Sequence, residues 1–250
     1  MALRAQDVLS DKSQSWQIFD RRVSRSYDLV SDLISLRLYR SWCTALAKSL
    51  PAQEGLEVLD LASGTGIIPF MTERARPELK ARFSCVDLSE EMLAIFRAKL
   101  SDHPLESRCE LIKGDATALN LADESCDVVT MACGLRNVGD TKACLAEILR
   151  VLKPGGSVHL LEPSIPKSRL LKGIFLGYFR HVVPRLAGLF STAEAYRYFN
   201  QSVEGFPYGE ELIALIQEVG FEEARFELLT LGAGAVYVAT KPMVATAEEA

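Results

Sequence analysis

Five short apolar runs separated by helix-like stretches constrain this chain more than any other feature of its sequence. The runs are EVLDLA (57–62), RFSCVDL (82–88), CELIKG (109–114), CDVVTMAC (126–133) and SVHLLEP (157–163). Between them lie the segment from Gly66 to about Arg76, the run EEMLAIFRAKL with Ser89 as its N-cap, and TKACLAEILRVL. Short apolar runs of this kind read as strands buried on both faces, and strands alternating with helices require a parallel sheet covered by helices on both sides. After TKACLAEILRVL, Lys153 suits the negative end of the helix dipole, Pro154 stops the helix and Gly155-Gly156 turn the chain into the fifth strand.

The ends of the chain read differently. From Ser15 to Leu50, Leu29, Leu33, Leu36, Tyr39, Trp42, Cys43 and Leu46 recur at helical spacing, until Pro51 and Gly55 interrupt. Residues 163–207 break the strand–helix rhythm, and the last part reads helix, strand, Gly-rich turn, strand. No Pro-, Gly- or Ser-rich linker divides the chain, so its 250 residues are expected to form one domain. Its parts are an N-terminal helical cap (1–50), a core (51–162), a helical lid (163–207), a final helix with strands (208–241) and a disordered tail (242–250).

Composition excludes several functions. The net charge is −5, with no long basic run, which argues against nucleic acid as a partner. The six cysteines stand far apart and, with the three histidines, complete no zinc pattern, so no metal is expected and the thiols read as reduced core residues of a cytoplasmic protein. The N-terminus lacks the apolar stretch of a secretory signal, and no apolar run reaches the roughly 20 residues of a membrane span.

The chemistry is concentrated at the strand ends. VLDLASGTGIIPF places Asp60 inside the first strand, followed by Gly64-Thr65-Gly66 and a helix. In an open parallel sheet ligands bind beyond the carboxyl ends of the strands, and glycines there let backbone N–H groups approach a ligand. Pro69 stands where a dinucleotide-binding loop has its third glycine, which disfavours NAD. Asp87 ends the second strand, about 20 residues on, where a carboxylate accepts ribose hydroxyls. Asp115, in GDATALN, lies just past the third strand within reach of an adenine amino group. Each marker alone is commonly a turn glycine or a solvated carboxylate; three at successive strand ends form a pattern.

These residues resemble the class I S-adenosylmethionine (SAM) methyltransferases: VLDLASGTG their first motif, CVDLSEEML their second, GDATAL their third, and LRVLKPGGSVHLLEP the run into strand five. YDLVSDLISLRLYRSW, GLRNVGD, PRLAGLFSTAEAYRYFNQSVEGFP and GFEEARFELLTLG narrow the resemblance to the UbiE-type C-methyltransferases of ubiquinone and menaquinone biosynthesis, over most of residues 16–234. The resemblance implies a Rossmann-like class I methyltransferase fold. Its sheet is seven-stranded and mostly parallel, in the order 3-2-1-4-5-7-6, with N-terminal helices and a lid after strand five. It implies SAM as cofactor, S-adenosylhomocysteine as product, and transfer to a ring carbon of a prenylated quinol: demethylmenaquinol, or the benzoquinol precursor of ubiquinone. Asp60, Ala62, Gly64, Thr65, Gly66, Asp87, Leu88, Met92, Asp115, Ala116 and Ala132 would then bind the cofactor. The chain departs from the family at Ala132 and Cys133, usually serine and an aromatic, at Asn120-Leu121, usually Pro-Phe, and near the C-terminus.

Methylating a quinol carbon needs alignment, a proton sink and a dry pocket rather than a covalent nucleophile. Arg136 is the candidate to stabilise the developing phenolate, through an ordered water that takes the proton, with Asn137 orienting that water. Tyr196, Arg197 and Tyr198 are placed on the acceptor side, and Tyr27 with Asp28 over the cofactor. From Pro163 to Ala193 five basic residues stand with no acidic one, and Leu170, Leu171, Ile174, Phe175, Tyr178 and Phe179 recur at helical spacing. That pattern suits a lid helix packed on the sheet or a helix resting on an anionic membrane. The expected partners are therefore a lipid-like quinol and the inner face of a membrane through 163–193, together with a homodimer. The competing readings are a methyltransferase for another small aromatic or lipid and a non-catalytic SAM-fold subunit of a quinone-synthesis complex.

Overall fold

A computed structural model of the chain describes residues 28, 29, 31–33, 35–183, 185 and 201–243. Seven strands form one sheet: β1 (Glu57–Leu61), β2 (Arg82–Asp87), β3 (Cys109–Lys113), β4 (Cys126–Ala132), β5 (Leu152–Pro163), β6 (Glu222–Leu229) and β7 (Gly234–Thr240). Their order is β3-β2-β1-β4-β5-β7-β6. Only β7 runs against its neighbours β5 and β6; all other pairs are parallel. The expected sheet is the observed one. The order reverses between β1 and β4, so a crevice opens there at the carboxyl ends of both strands.

The α-helices with defined bounds that flank the sheet are α1 (Leu38–Ser49), α2 (Ile67–Ala75), α3 (Glu90–Leu100), α4 (Thr141–Val151), α5 (Arg169–Gly177) and α6 (Glu210–Val219). Side chains alternate across the strands, so each strand feeds two cores. On one face Leu59, Met131, Leu160 and Tyr237 pack with Leu145 and Ile148 of α4 and Ile216 of α6. On the other, Phe83, Cys85 and Val128 meet Phe96 and Leu100 of α3, while Leu161 and Val236 meet Trp42 and Leu46 of α1 and Ile68 of α2. Caps follow the sequence: the Ser89 hydroxyl accepts from the Met92 N–H, and the Asp140 carboxylate accepts from the Ala143 N–H.

Two boundaries differ from the sequence reading. The helical pattern expected from Ser15 to Leu50 is broken, within the described residues, at Leu36 and Arg37, both at positive φ, 50° and 63°. The Ser35 hydroxyl donates to the Ser31 carbonyl and accepts from the Tyr39 N–H, which offers the backbone an alternative to helix at the break. The other difference is in β5, which begins at Leu152 and loops Lys153–Gly156 out before pairing resumes at Ser157. Lys153 pairs there with Asp127. The C-terminal reading holds: α6, β6, a short turn and β7 follow in that order.

Two buried polar bridges join the layers. His159 on β5 sits between the hydroxyls of Ser49, at Nδ1, and Ser157, at Nε2, so it ties α1 to the sheet. Burial pulls its pKa down to about 3 and keeps it neutral. The Tyr237 hydroxyl accepts from the Gly209 N–H at 2.7 Å and anchors the start of α6. Removing that acceptor orphans a buried N–H, so Tyr237→Phe should lower stability by about 1–3 kcal/mol in urea unfolding.

Candidate active site at the sheet switch point

At the reversal, Asp60 of β1 and Thr130 of β4 are register partners, both buried. The Thr130 hydroxyl donates to Asp60 Oδ1 at 2.7 Å, while Oδ2 has no partner among the described residues. Burial raises the Asp60 pKa to about 7, the Thr130 bond opposes the shift, and the nearby Asp87 adds to it. A carboxyl raised in this way contributes stability that is full below its unfolded value near 3.8 and is lost as pH rises towards 7.

The turn after β1 wraps this carboxyl. Gly66 stands at φ 86°, and a Cβ there would lie 2.2–2.5 Å from the Phe96 ring, so only glycine fits. The Gly64 N–H donates to Asp87 Oδ2 at 2.7 Å and the Ser89 N–H donates to Oδ1 at 2.8 Å, which fixes the Asp87 carboxylate at the end of β2. The Thr65 hydroxyl donates to Asp28, and Lys99 pairs with Asp28 and donates to the Thr65 carbonyl. Asp28, Tyr39, Asp60, Ser63, Thr65 and Ala132 line a cavity of about 30 Å³, into which the unpartnered Ser63 hydroxyl and Asp60 Oδ2 bring polar atoms. A cleft of about 380 Å³ shares Asp28, Tyr39 and Ile67 with it.

The remaining sequence candidates lie along the same edge. Leu88 is half-buried beside Asp87, Met92 is buried in the first turn of α3, and Ala116 is buried after β3. Asp115 is exposed and accepts from the Thr117 N–H and hydroxyl through one oxygen. Ala132 ends β4 next to Cys133, and Ala62 directly follows β1, two residues before Gly64. Tyr27, Tyr196, Arg197 and Tyr198 lie outside the described residues.

Arg136 is placed differently from the open cation expected at the mouth of the sheet. It is only 5% exposed and donates to Glu162 Oε2 at 2.9 Å and to the Cys133 carbonyl at 2.6 Å. Glu162, 1% exposed, also accepts from the Arg136 backbone N–H. Burial raises the Glu162 pKa, and Arg136 works against that rise. The Asn137 amide donates to the same Cys133 carbonyl, and Cys133 itself sits at φ 57°. Gly134 lets this loop close over β1: a Cβ there would lie 2.7 Å from that of Ala62. Burial pushes the Cys133 thiol up to about 12, so it is no nucleophile.

Sequence reasoning missed Glu162, Thr130, Tyr39 and Lys99. Glu162 had a signal, an acidic residue closing an otherwise apolar strand in LLEP; the other three had none. Glu162→Ala leaves a buried guanidinium uncompensated and should cost about 3–5 kcal/mol in urea unfolding, most of it recovered by the double change Arg136→Met with Glu162→Leu.

Comparison with known proteins agrees with this architecture. A SAM-dependent methyltransferase from Thermotoga maritima superposes with a TM-score of 0.63 over 90% of this chain and 99% of that one, at 24% identity. Another from Methanococcus maripaludis gives 0.66 over 90% and 95%, at 16% identity. In sequence, the chain is 37% identical over 233 residues to the ubiquinone/menaquinone biosynthesis C-methyltransferase UbiE of Geobacter sulfurreducens, covering 93% of this chain and 91% of that one. It is 36% identical over 244 residues to the demethylmenaquinone methyltransferase of Chlorobaculum parvum, covering 95% and 97%. Residues 7–241 match the ubiE/COQ5 methyltransferase family as a whole. With a relative's fold, its strand-end glycines and near full-length similarity all present, the chain belongs to the ubiE/COQ5 methyltransferase family.

Proposed function

We propose that this protein is a SAM-dependent C-methyltransferase acting on a ring carbon of a prenylated quinol, with demethylmenaquinol as the favoured acceptor. The observation that carries the reading is the buried Asp60 carboxyl at the β1–β4 switch point: its Oδ2, like the Ser63 hydroxyl, has no partner among the described residues, and both residues line a small cavity that adjoins a cleft of about 380 Å³. A ligand that brings cationic and hydrogen-bonding groups together fits such a site, and SAM has both. When bound, SAM supplies a methyl group on a positively charged sulfur. The two relatives described above are named for quinone methylation and match almost the whole chain.

The residues divide the work. Asp60, Ser63, Gly64 and Thr65 hold the charged end of the cofactor, Asp87 accepts from its ribose hydroxyls, and Asp115 with Ala116, Leu88 and Met92 receives its adenine. Asp87 is suited to its part because two backbone N–H groups already hold the carboxylate in place. The Ala132–Asn137 loop forms the acceptor side. Its shape is kept by Glu162 and Arg136, and the Arg136 charge favours an ionised ring hydroxyl, whose proton leaves through water. Tyr196 and Arg197 complete this side. The basic segment 163–193 brings the acceptor side to the cytoplasmic face of a membrane, where a polyprenyl tail resides. Among the described residues no helix is long and apolar enough to cross one.

Incubation with labelled SAM and a panel of quinols tests the reading. Transfer to demethylmenaquinol, but not to soluble phenols, is the expected result; label on phenols alone would sink it. Arg136→Ala, if it folds, should reduce kcat about a hundredfold with the KM for SAM little changed. A second measurement concerns Asp60. Its carboxyl stays neutral up to about pH 7 in the free protein, and a cationic ligand favours the carboxylate. SAM affinity by calorimetry should therefore rise with pH through about 7 and become flat, and weaker, in Asp60→Asn.

A further inference from the structure

Leucine rarely adopts positive φ, because its Cβ then crowds the backbone, and a solvent-exposed leucine gains nothing from the hydrophobic effect. Among the described residues, two leucines do both. Leu231, at the tip between β6 and β7, has φ 57° and is 77% exposed; Leu36, in the turn before α1, has φ 50° and is 66% exposed. The two tips are joined, since the turn of Leu36 leads into α1, whose Trp42 indole donates to the Thr230 hydroxyl at 2.7 Å.

A third apolar feature stands beside them. The Ser164 hydroxyl donates to the Gly232 carbonyl, and Gly232 lies against Pro166, so the segment entering α5 abuts the Leu231 tip. Phe175 of α5 turns inward to the cluster of Trp42 and Leu229. Leu170, 73% exposed, and Ile174 turn outward, one helical turn apart. Exposed Lys167, Arg169 and Lys172 surround them. The segment from Pro163 to Ala193 contains no acid of its own, and Glu204 pairs with its Arg180 rather than with Lys167, Arg169 or Lys172. A protein of net charge −5 thus carries a locally positive, apolar-tipped surface. It lies at the end of the sheet where Pro163 pairs with Gly234, the same carboxyl end of β4 and β5 at which the active-site crevice opens.

We infer that Leu36, Leu231, Leu170 and Ile174 insert together into the headgroup region of an anionic lipid bilayer, with Lys167, Arg169 and Lys172 against the lipid phosphates. Charge complementarity selects this occupant. A partner chain of the same kind would bring like charges face to face, whereas an anionic bilayer takes both the leucines and the cations. The inference rests on the prenyl quinol reading only for its purpose, delivery of a membrane-bound acceptor to the crevice; the surface itself is defined by the residues named.

Flotation with phosphatidylcholine vesicles, with and without phosphatidylglycerol, tests it on the full chain. The protein should float with the anionic vesicles only. Leu231→Gly relieves the backbone conformation, so it should hold or raise Tm while weakening vesicle binding about tenfold. Leu170→Gln with Ile174→Gln should weaken it further, and each of Lys167→Gln, Arg169→Gln and Lys172→Gln about fivefold. Methylation of a short-tailed, soluble quinol without vesicles should be unchanged in all of them. No flotation of the wild type, or variants that float as it does, would overturn the proposal. So would leucine variants that instead abolish a dimer in sedimentation velocity. Vesicle binding without methylation of any quinol would remove the acceptor reading and leave this one standing.

Discussion

The hydroxyl of Thr130 donating to Asp60 joins β1 to β4 at the one place where the strand order turns back on itself. Both residues sit on the face covered by α1 and α2, so the bond is kept dry and the carboxyl is held where its second oxygen looks into the cavity. The turn of Gly64 and Gly66 follows directly, and Asp87 is fixed through the Gly64 N–H. One side-chain bond at the switch point therefore sets the position of a carboxyl, a turn and the end of the next strand.

The electrostatic layout extends from there. Three carboxyls, Asp60, Asp87 and Glu162, lie towards the carboxyl ends of β1, β2 and β5, and burial raises all three. They are handled in different ways. Asp87 is met by backbone N–H groups, Glu162 by a guanidinium, and Asp60 by a single hydroxyl. The least compensated of the three faces the cavity. Backbone dipoles and a full charge stabilise the other two as carboxylates, so Asp60 is the one held near neutrality, and a cationic ligand gains most by drawing out its ionised form.

The strands, the glycine turn and Asp87 were legible because each rests on local pattern: an apolar run, a pair of glycines, an acid at a fixed distance. The sheet order came from resemblance to a family, since spacing along the chain does not say which strands are neighbours. The break at Leu36 and Arg37 was hidden because the leucine spacing through it stays helical, and the reason for it lies in two serines one turn apart. Arg136 was visible as a polar residue at a strand end, but its inward turn depends on Glu162, 26 residues away on the next strand. The union of Leu36 and Leu231 in one surface depends on a bond across 188 residues, which no local pattern encodes.

That same bond bears on how the molecule is made. The cofactor crevice is walled on one side by Tyr39 of α1, and α1 is pinned by Trp42 to a hairpin synthesised 188 residues after it. While the ribosome is still adding β6 and β7, the crevice has its floor and its glycine turn, and its wall is held to β5 through Ser49 and His159 but lacks the Trp42 anchor. Closure of this long loop is thus a late event in folding. A chain truncated before Thr230 would keep every glycine and carboxylate of the cofactor site while leaving its cap held to the sheet at the Ser49 end alone.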